Sequence, residues 1–352
     1  MKNFSYRPRP VRKTYIPKSN GKLRGLGIPC YKDKLVQETM ADVLNEIYEN
    51  IFYDFSYGFR PRKNCHQAIS QINWLLMTRK VNYILDVDIK GFFDNIDHDI
   101  MMMFLEHKIE DKNFLRYIRR FLKSGIIEDY KYYESDKGTP QGGLISPILA
   151  NVYLHYGLDN WFSVIKKSFK GEMYLIRYVN DFVVMFQYED EARKFYKMSI
   201  ERMSKFKLEL AEDKTRILPF VRFKGTKEEF DFLGFTISNG KTLNGKYRPN
   251  IKTNKKKLKQ KFEIAKKWLH DKMHEPILEV GASIRKKIIG HYAYYGINGN
   301  YSSLLKYYKY LKYTWYHSLR KRGQKNKIKY LDFLRIWNYL NIPTPKIYVN
   351  IW

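Results

Sequence analysis

The tightest constraint in this chain of 352 residues is a pair of short apolar stretches, each interrupted by carboxylates. Residues 82–90 read Asn-Tyr-Ile-Leu-Asp-Val-Asp-Ile-Lys, and strand alternation puts Ile84, Asp86 and Asp88 on one face with Tyr83, Leu85 and Val87 on the other. Two acids on one face of an otherwise apolar strand repel each other and resist desolvation, which a divalent cation such as Mg2+ relieves. Solvated acids on an edge strand are the plainer alternative. Residues 173–186 are two apolar runs broken only by Val179, Asn180 and Asp181, the pattern of a tight hairpin with polar oxygens at its tip. With Asp88 beside Asp181, the two acids would make a divalent-metal site suited to in-line phosphoryl transfer.

Around these stretches the hydrophobic period divides the chain into three regions. The first, to about residue 80, is expected to open with an extended basic segment at 11–17. It turns at Ser19, Asn20 and Gly21, forms a helix over 34–51, and ends in a loop rich in Gly and Arg. The second mixes strands at 83–89, 174–178, 182–186 and 230–237 with helices at 148–166 and 191–206, an α+β pattern. The third, from about residue 250, reads as helices only, ending near 270, 295 and 320 with a short one to follow. Residues 241–330 hold 24 Lys and Arg against 4 acids, making this the most basic part of a chain whose formal charge is +29. A field of that size in a compact fold points to a polyanion, with nucleic acid ahead of a membrane surface or a merely solvated face. Tyrosines interleaved with lysines, as at Tyr307, Tyr308, Lys309 and Tyr310, suit base stacking, although most are expected to pack internally.

Two cysteines, Cys30 and Cys65, are too few for a disulfide framework and lack zinc-ligand spacing, so a reducing compartment is expected. No run reaches the length of a membrane span and no secretory apolar segment opens the chain. A soluble, cytoplasmic protein with no membrane partner is the expectation.

Specific blocks then occur in order: Asp88-Ile-Lys-Gly-Phe-Phe-Asp94, Gly138-Thr-Pro-Gln-Gly-Gly143, Arg177-Tyr-Val-Asn-Asp181, Glu212-Asp-Lys-Thr215 and Phe232-Leu-Gly-Phe235. Upstream lie Tyr15-Ile-Pro-Lys-Ser-Asn-Gly-Lys-Leu-Arg24 and Ser56-Tyr-Gly-Phe-Arg-Pro61; downstream lie His291-Tyr-Ala-Tyr-Tyr-Gly296 and Pro345-Lys-Ile-Tyr348. Together they resemble the successive blocks of the group II intron reverse transcriptase/maturases, across essentially the whole chain.

That resemblance implies a right-hand polymerase of α+β class, with fingers in residues 1–80, a palm with interleaved fingers helices in 81–240, and an all-helical thumb in 241–352. It implies an RNA-directed DNA polymerase acting on an RNA template, a primer–template duplex and dNTPs, with a structured intron RNA as a further partner. Asp88 and Asp181, with the Ile89 carbonyl, would hold two Mg2+ ions, for which Mn2+ can substitute. Lys18 and Arg24 would clamp the triphosphate, Phe93 would crowd a ribose 2′-hydroxyl, and Gln141 would contact the incoming nucleotide. Lys214 would serve as general acid toward pyrophosphate. Phe232, Leu233 and Gly234 would form the primer grip, while Arg60, Arg62, Lys255, Lys256 and Lys257 would meet nucleic acid.

Two departures stand out. The family's turn carries paired aspartates, whereas Asn180 here places a neutral amide before Asp181. An amide oxygen can coordinate Mg2+ but brings no charge, so the expected cost is about 10²–10⁴ in rate. A catalytically silent RNA-binding maturase on the same fold is therefore the alternative. The second departure is that only 14 residues precede the Tyr15 block, where the family has a longer extension.

Overall fold

The structure, a computed structural model, describes residues 5–17, 23–222, 227–323 and 327–352. They fall into two compact units, Met1–Glu228 and Glu229–Trp352. The turn expected at Ser19, Asn20 and Gly21 lies outside the described residues, as does Lys18.

The described part of the first unit contains strands β1 (Val11–Pro17), β2 (Leu23–Ile28), β3 (Tyr83–Asp88), β4 (Ile126–Glu128), β5 (Lys131–Tyr133), β6 (Met173–Tyr178), β7 (Asp181–Phe186) and β8 (Arg216–Pro219). They form two sheets, ordered β2-β1-β4-β5 and β6-β7-β3-β8. In the second sheet β3 runs antiparallel to both neighbours, and its register sets Asp88 opposite Asp181, Asp86 opposite Val183 and Asp86 opposite Arg216. One face is apolar apart from Arg177 of β6: Leu85 and Val87 of β3, Phe182, Val184 and Phe186 of β7, and Leu175 of β6 join the main core. Helices Ser146–Leu154 and Glu189–Lys205 complete that core through Leu149, Val152, Phe195 and Met203. The acids of β3 are thereby turned to the opposite face, as alternation requires.

The expected helix over 148–166 forms from Ser146 to Ile165, with a π-helical turn at His155–Asp159 in its middle. Asp159, the last residue of that turn, is fully buried.

The second unit opens with strands β9 (Glu229–Phe232), β10 (Phe235–Ser238) and β11 (Asn250–Thr253), an antiparallel sheet ordered β11-β10-β9. Two sequence expectations are corrected here. The single strand at 230–237 is a hairpin, because Leu233 and Gly234 take positive φ (49° and 82°) and reverse the chain between them. The region expected to be all helical begins with β11, whose four residues alternate in burial but are too short a run to betray a strand. From Lys255 onward the unit is helical, with helices Lys255–Asp271, Ile277–Tyr295, Tyr301–Arg320 and Tyr330–Tyr339. Ile284, Ile288 and Tyr292 bury one stripe of the second of these, against a core that includes Leu304, Leu311, Trp315 and Trp337. Among the described residues no helix is long and apolar enough to cross a membrane.

Candidate active site

The carboxylates meet at the tip of the β6-β7 hairpin. Tyr178 pairs with Asp181 across it, leaving Val179 and Asn180 as a two-residue turn. Val179 alone of the two has positive φ (59°), the sign pattern of a type II′ turn, whose first position favours glycine. A β-branched residue there is strained by about 1–2 kcal/mol, so the conformation must be imposed from outside.

The imposing groups are buried. Arg177 sits at 0% exposure and forms a bidentate pair with Asp159, also at 0% (Nε–Oδ1 2.8 Å, Nη2–Oδ2 2.5 Å). Its Nη1 donates to the Val179 carbonyl (3.1 Å) and to Asn151 Oδ1 (3.2 Å), while the Asn151 amide donates to the Gly58 carbonyl (2.7 Å). Residues 55–58 add to the edge of β6, with Tyr57 N donating to Arg177 O and Arg177 N to Phe55 O, both at 2.8 Å. A methyl group at Gly58 would stand 2.6 Å from the Val179 nitrogen, so only glycine lets the two segments meet.

Within this frame Asp86, Asp88, Asn180, Asp181 and Lys214 line a cleft of about 360 Å3. Lys214 Nζ donates to Asp88 Oδ2 at 2.5 Å, and the Asn180 amide nitrogen to Asp88 Oδ1 at 3.3 Å. Arg216 approaches Asp86 at 3.6 Å. The hydrogen bond that Lys214 donates to Asp88 is the main cause holding its ammonium above the ordinary pKa, with burial opposing it. Ile89 is buried directly after Asp88 and bridges Leu210, so only its backbone is available to the site. The donors are hard oxygens, which suit Mg2+ or Mn2+. Among the described residues no group of three His, Cys, Asp or Glu cages an ion alone. The set therefore fits the open kind of Mg2+ site, in which one or two carboxylates are completed by water and substrate phosphates.

A second cleft in the same unit, of about 570 Å3, lies between the β1-β2 strands and the Gly138–Gln141 loop. It brings together three residues singled out from sequence: Arg24, exposed on β2, half-buried Phe93, and Gln141. Phe93 also packs edge-on against Phe92 at 5.3 Å, so it serves the core and the wall at once. Gln141 is held by its own backbone, whose carbonyl accepts from Gly27 N at 2.8 Å.

Arg60 is a correction. Expected to meet nucleic acid, it is 7% exposed: it donates to both Glu49 oxygens (3.0 and 2.8 Å) and to the carbonyls of Tyr53 and Ser56. It also lies over the Phe52 ring at 5.3 Å. Its donors hold the 49–60 loop together instead of facing solvent. Arg62 is exposed.

In the second unit the Phe232–Leu233–Gly234 segment is likewise pinned. Tyr294 Oη donates to the Leu233 carbonyl (2.8 Å), Asn254 N donates to the Gly234 carbonyl (3.0 Å), and Phe232 is buried. Lys255, Lys256 and Lys257 are exposed in the first turn of their helix, capped by Asn254, whose side chain accepts from Lys257 N. Three cations at a helix N-terminus oppose the helix dipole, an arrangement that an anion relieves.

Sequence reasoning missed the bracing residues Arg177, Asp159, Asn151 and Gly58. A signal existed for one of them, since an arginine inside an apolar strand must find a buried partner. No local pattern identifies that partner as Asp159.

Residues 16–237 match the family described as reverse transcriptase (RNA-dependent DNA polymerase). The group II intron-encoded protein LtrA of Lactococcus lactis subsp. cremoris is 43% identical over 173 residues, 49% of this chain and 28% of that protein. Protein YkfC of Escherichia coli K12 is 30% identical over 280 residues, 69% of this chain and 70% of that protein. The chain thus spans little more than a quarter of the length of LtrA. Among solved structures, telomerase from Candida albicans in complex with a fragment of telomeric RNA superposes with a TM-score of 0.54 at 14% identity, covering 96% of this chain and 64% of that one.

Proposed function

Since the chain belongs to the reverse transcriptase (RNA-dependent DNA polymerase) family, in its group II intron reverse transcriptase/maturase branch, we propose that it is an RNA-directed DNA polymerase working with two Mg2+ ions held by Asp88 and Asp181. The observation that carries this reading is the register that sets Asp88 directly opposite Asp181 on the open face of the β3-β7 pair. When bound, the ions activate the primer 3′-hydroxyl and neutralise charge on the triphosphate. Asp88 and Asp181 supply fixed negative charge, and the Ile89 carbonyl a further oxygen. Mn2+ is expected to substitute, because the donors are the same oxygens.

The 570 Å3 cleft is the proposed dNTP site. Arg24 binds the triphosphate, with Lys18, outside the described residues, as its partner. Gln141 contacts the nucleotide, and Phe93 forms the wall that a 2′-hydroxyl would strike. Lys214, kept charged by Asp88, carries the proton that departing pyrophosphate needs. The Phe232–Gly234 turn is the proposed primer grip. Arg62 and Lys255 to Lys257 make phosphate contacts to an RNA template or primer–template duplex, and the same cations would hold a structured intron RNA. Phe93→Val is expected to relax discrimination against ribonucleotides, measured by the ratio of dNTP to rNTP incorporation; an unchanged ratio returns Phe93 to the core.

Asn180 favours a second reading, an RNA-binding maturase that keeps the fold without catalysis. Primer extension on an RNA template separates the two. Asn180→Asp adds the missing carboxylate and should raise incorporation by about 10² or more, a gain that Asp88→Ala abolishes. If Asn180→Asp binds RNA and adds no nucleotide with either Mg2+ or Mn2+, the silent reading holds.

A further inference from the structure

Asp88 is not waiting open for an ion. One of its oxygens is taken by Lys214 at 2.5 Å and the other by the Asn180 amide at 3.3 Å, while Asp86 has Arg216 at 3.6 Å. Lys214 is delivered there by backbone. Ala211 N donates to the carbonyl of Asp88 itself (2.8 Å), and Lys214 N and Thr215 N both fold back onto the Ala211 carbonyl (3.0 and 2.9 Å). The turn carrying Lys214 is therefore fastened to the residue it neutralises. Its side chain is nonetheless 61% exposed, so the ammonium can leave for water without opening the core.

Charge decides what this arrangement does. Three carboxylates line or flank the cleft, Asp86, Asp88 and Asp181, against two resident cations, Lys214 and Arg216. The formal sum over these five groups is −1, Asp213 beside Lys214 brings it to −2, and Asn180 adds nothing to it. A divalent ion drawn to this centre is repelled by the ammonium on Asp88 and gains more once that cation departs.

We propose that Lys214 is the built-in counter-cation of Asp88, and that a divalent ion enters this centre by exchange with the Lys214 ammonium. The proposal rests on the metal-centre reading above. It implies opposite signs for two properties of one residue: removing the Lys214 charge lowers catalysis, where Lys214 is the proton donor, yet tightens metal binding.

The test is Mn2+ binding to the full chain without nucleic acid, followed by the electron paramagnetic resonance signal of free Mn2+. The site of interest is the one that Asp88→Ala removes. Lys214→Gln, one bond shorter, polar and uncharged, should bind Mn2+ at that site about three- to tenfold more tightly, the range set by one exposed ion pair and residual repulsion. Lys214→Arg keeps the charge and should bind as the unmodified chain does. Lys197→Gln, on the exposed face of helix Glu189–Lys205, removes a charge elsewhere and should change nothing. Equal or weaker binding by Lys214→Gln, with the Asp88-dependent site present in the unmodified chain and in Asn180→Asp, overturns the exchange alone. If no Asp88-dependent site exists even in Asn180→Asp, the exchange and the metal centre fall together.

Discussion

Two hairpin turns, one in each unit, solve the same geometric problem by different means. Between β9 and β10 the chain reverses at Leu233 and Gly234, both with positive φ, and glycine occupies the position where φ reaches 82°. Between β6 and β7 it reverses at Val179 and Asn180 with no glycine, and a β-branched residue is held at φ 59°. The first turn is written in its own residues, with Tyr294 and Asn254 securing its carbonyls. The second is unfavourable locally and is imposed by Arg177, Asp159, Asn151 and Gly58, which come from three parts of the chain: β6, the helical run Ser146 to Ile165, and the 55–58 segment. A turn that presents reacting groups tolerates strain when a buried network over-determines it. The glycine turn also holds Leu233 at positive φ, but that residue is not β-branched and two hydrogen bonds to the turn's carbonyls secure it.

The largest expected effect tests the network. Asp159→Asn leaves the fully buried Arg177 without its counter-charge and should cost the first unit about 3–5 kcal/mol, read from urea denaturation of the full chain. A cost below about 1 kcal/mol would mean that the pair does not hold the β6-β7 turn. Gly234→Ala probes the other turn. Its new methyl would stand 2.9 Å from Tyr295 Oη and sit in the left-handed region, for an expected loss of about 1–3 kcal/mol confined to the second unit. Restored stability in a Gly234→Ala, Tyr295→Phe double variant would assign the loss to the contact and not to the backbone.

A smaller effect compares the surroundings of the two turns through pH. Burial, aided by the Arg177 charge, lowers His155 to about 4, and burial with Lys261 lowers His291 to about 3, from an ordinary value of 6.5. His155 sits in the π-helical turn with Asp159, and His291 packs on Tyr295 at 4.9 Å. Both are neutral in the fold, so below about pH 6.5 the unfolded chain takes up protons that the folded chain refuses. The stability they contribute is complete above that pH. It is lost as pH falls toward about 4 and about 3, by up to about 1.4 kcal/mol per pH unit for each. His155→Phe and His291→Phe should each flatten the fall in thermal midpoint between pH 7 and pH 5; identical slopes with and without the histidines would show that neither is neutral by virtue of the fold.

What the sequence by itself determined is whatever one strand or one turn can encode. Alternation of period two placed Asp86 and Asp88 on one face of β3 and Leu85 and Val87 on the other, and the break at residues 179–181 marked the hairpin. The ordered blocks identified the family, and Arg24, Phe93 and Gln141, chosen by resemblance, line one cleft. The tertiary structure decided what depends on partners far along the chain. In the sequence Arg60 is one cation of a basic loop and Arg177 a cation inside an apolar strand, and neither partner is legible there. Only the fold closes a loop over one and sets Asp159, 18 residues away, against the other. Lys214 reaches Asp88, 126 residues distant, because the turn that carries it is hydrogen-bonded to the end of β3. The short β11, four residues that are too few to be read as a strand, forms because β10 offers an edge to pair with. Periodicity records which way a side chain points, whereas the identity of its buried partner is set by loop closure and packing, which no local pattern contains.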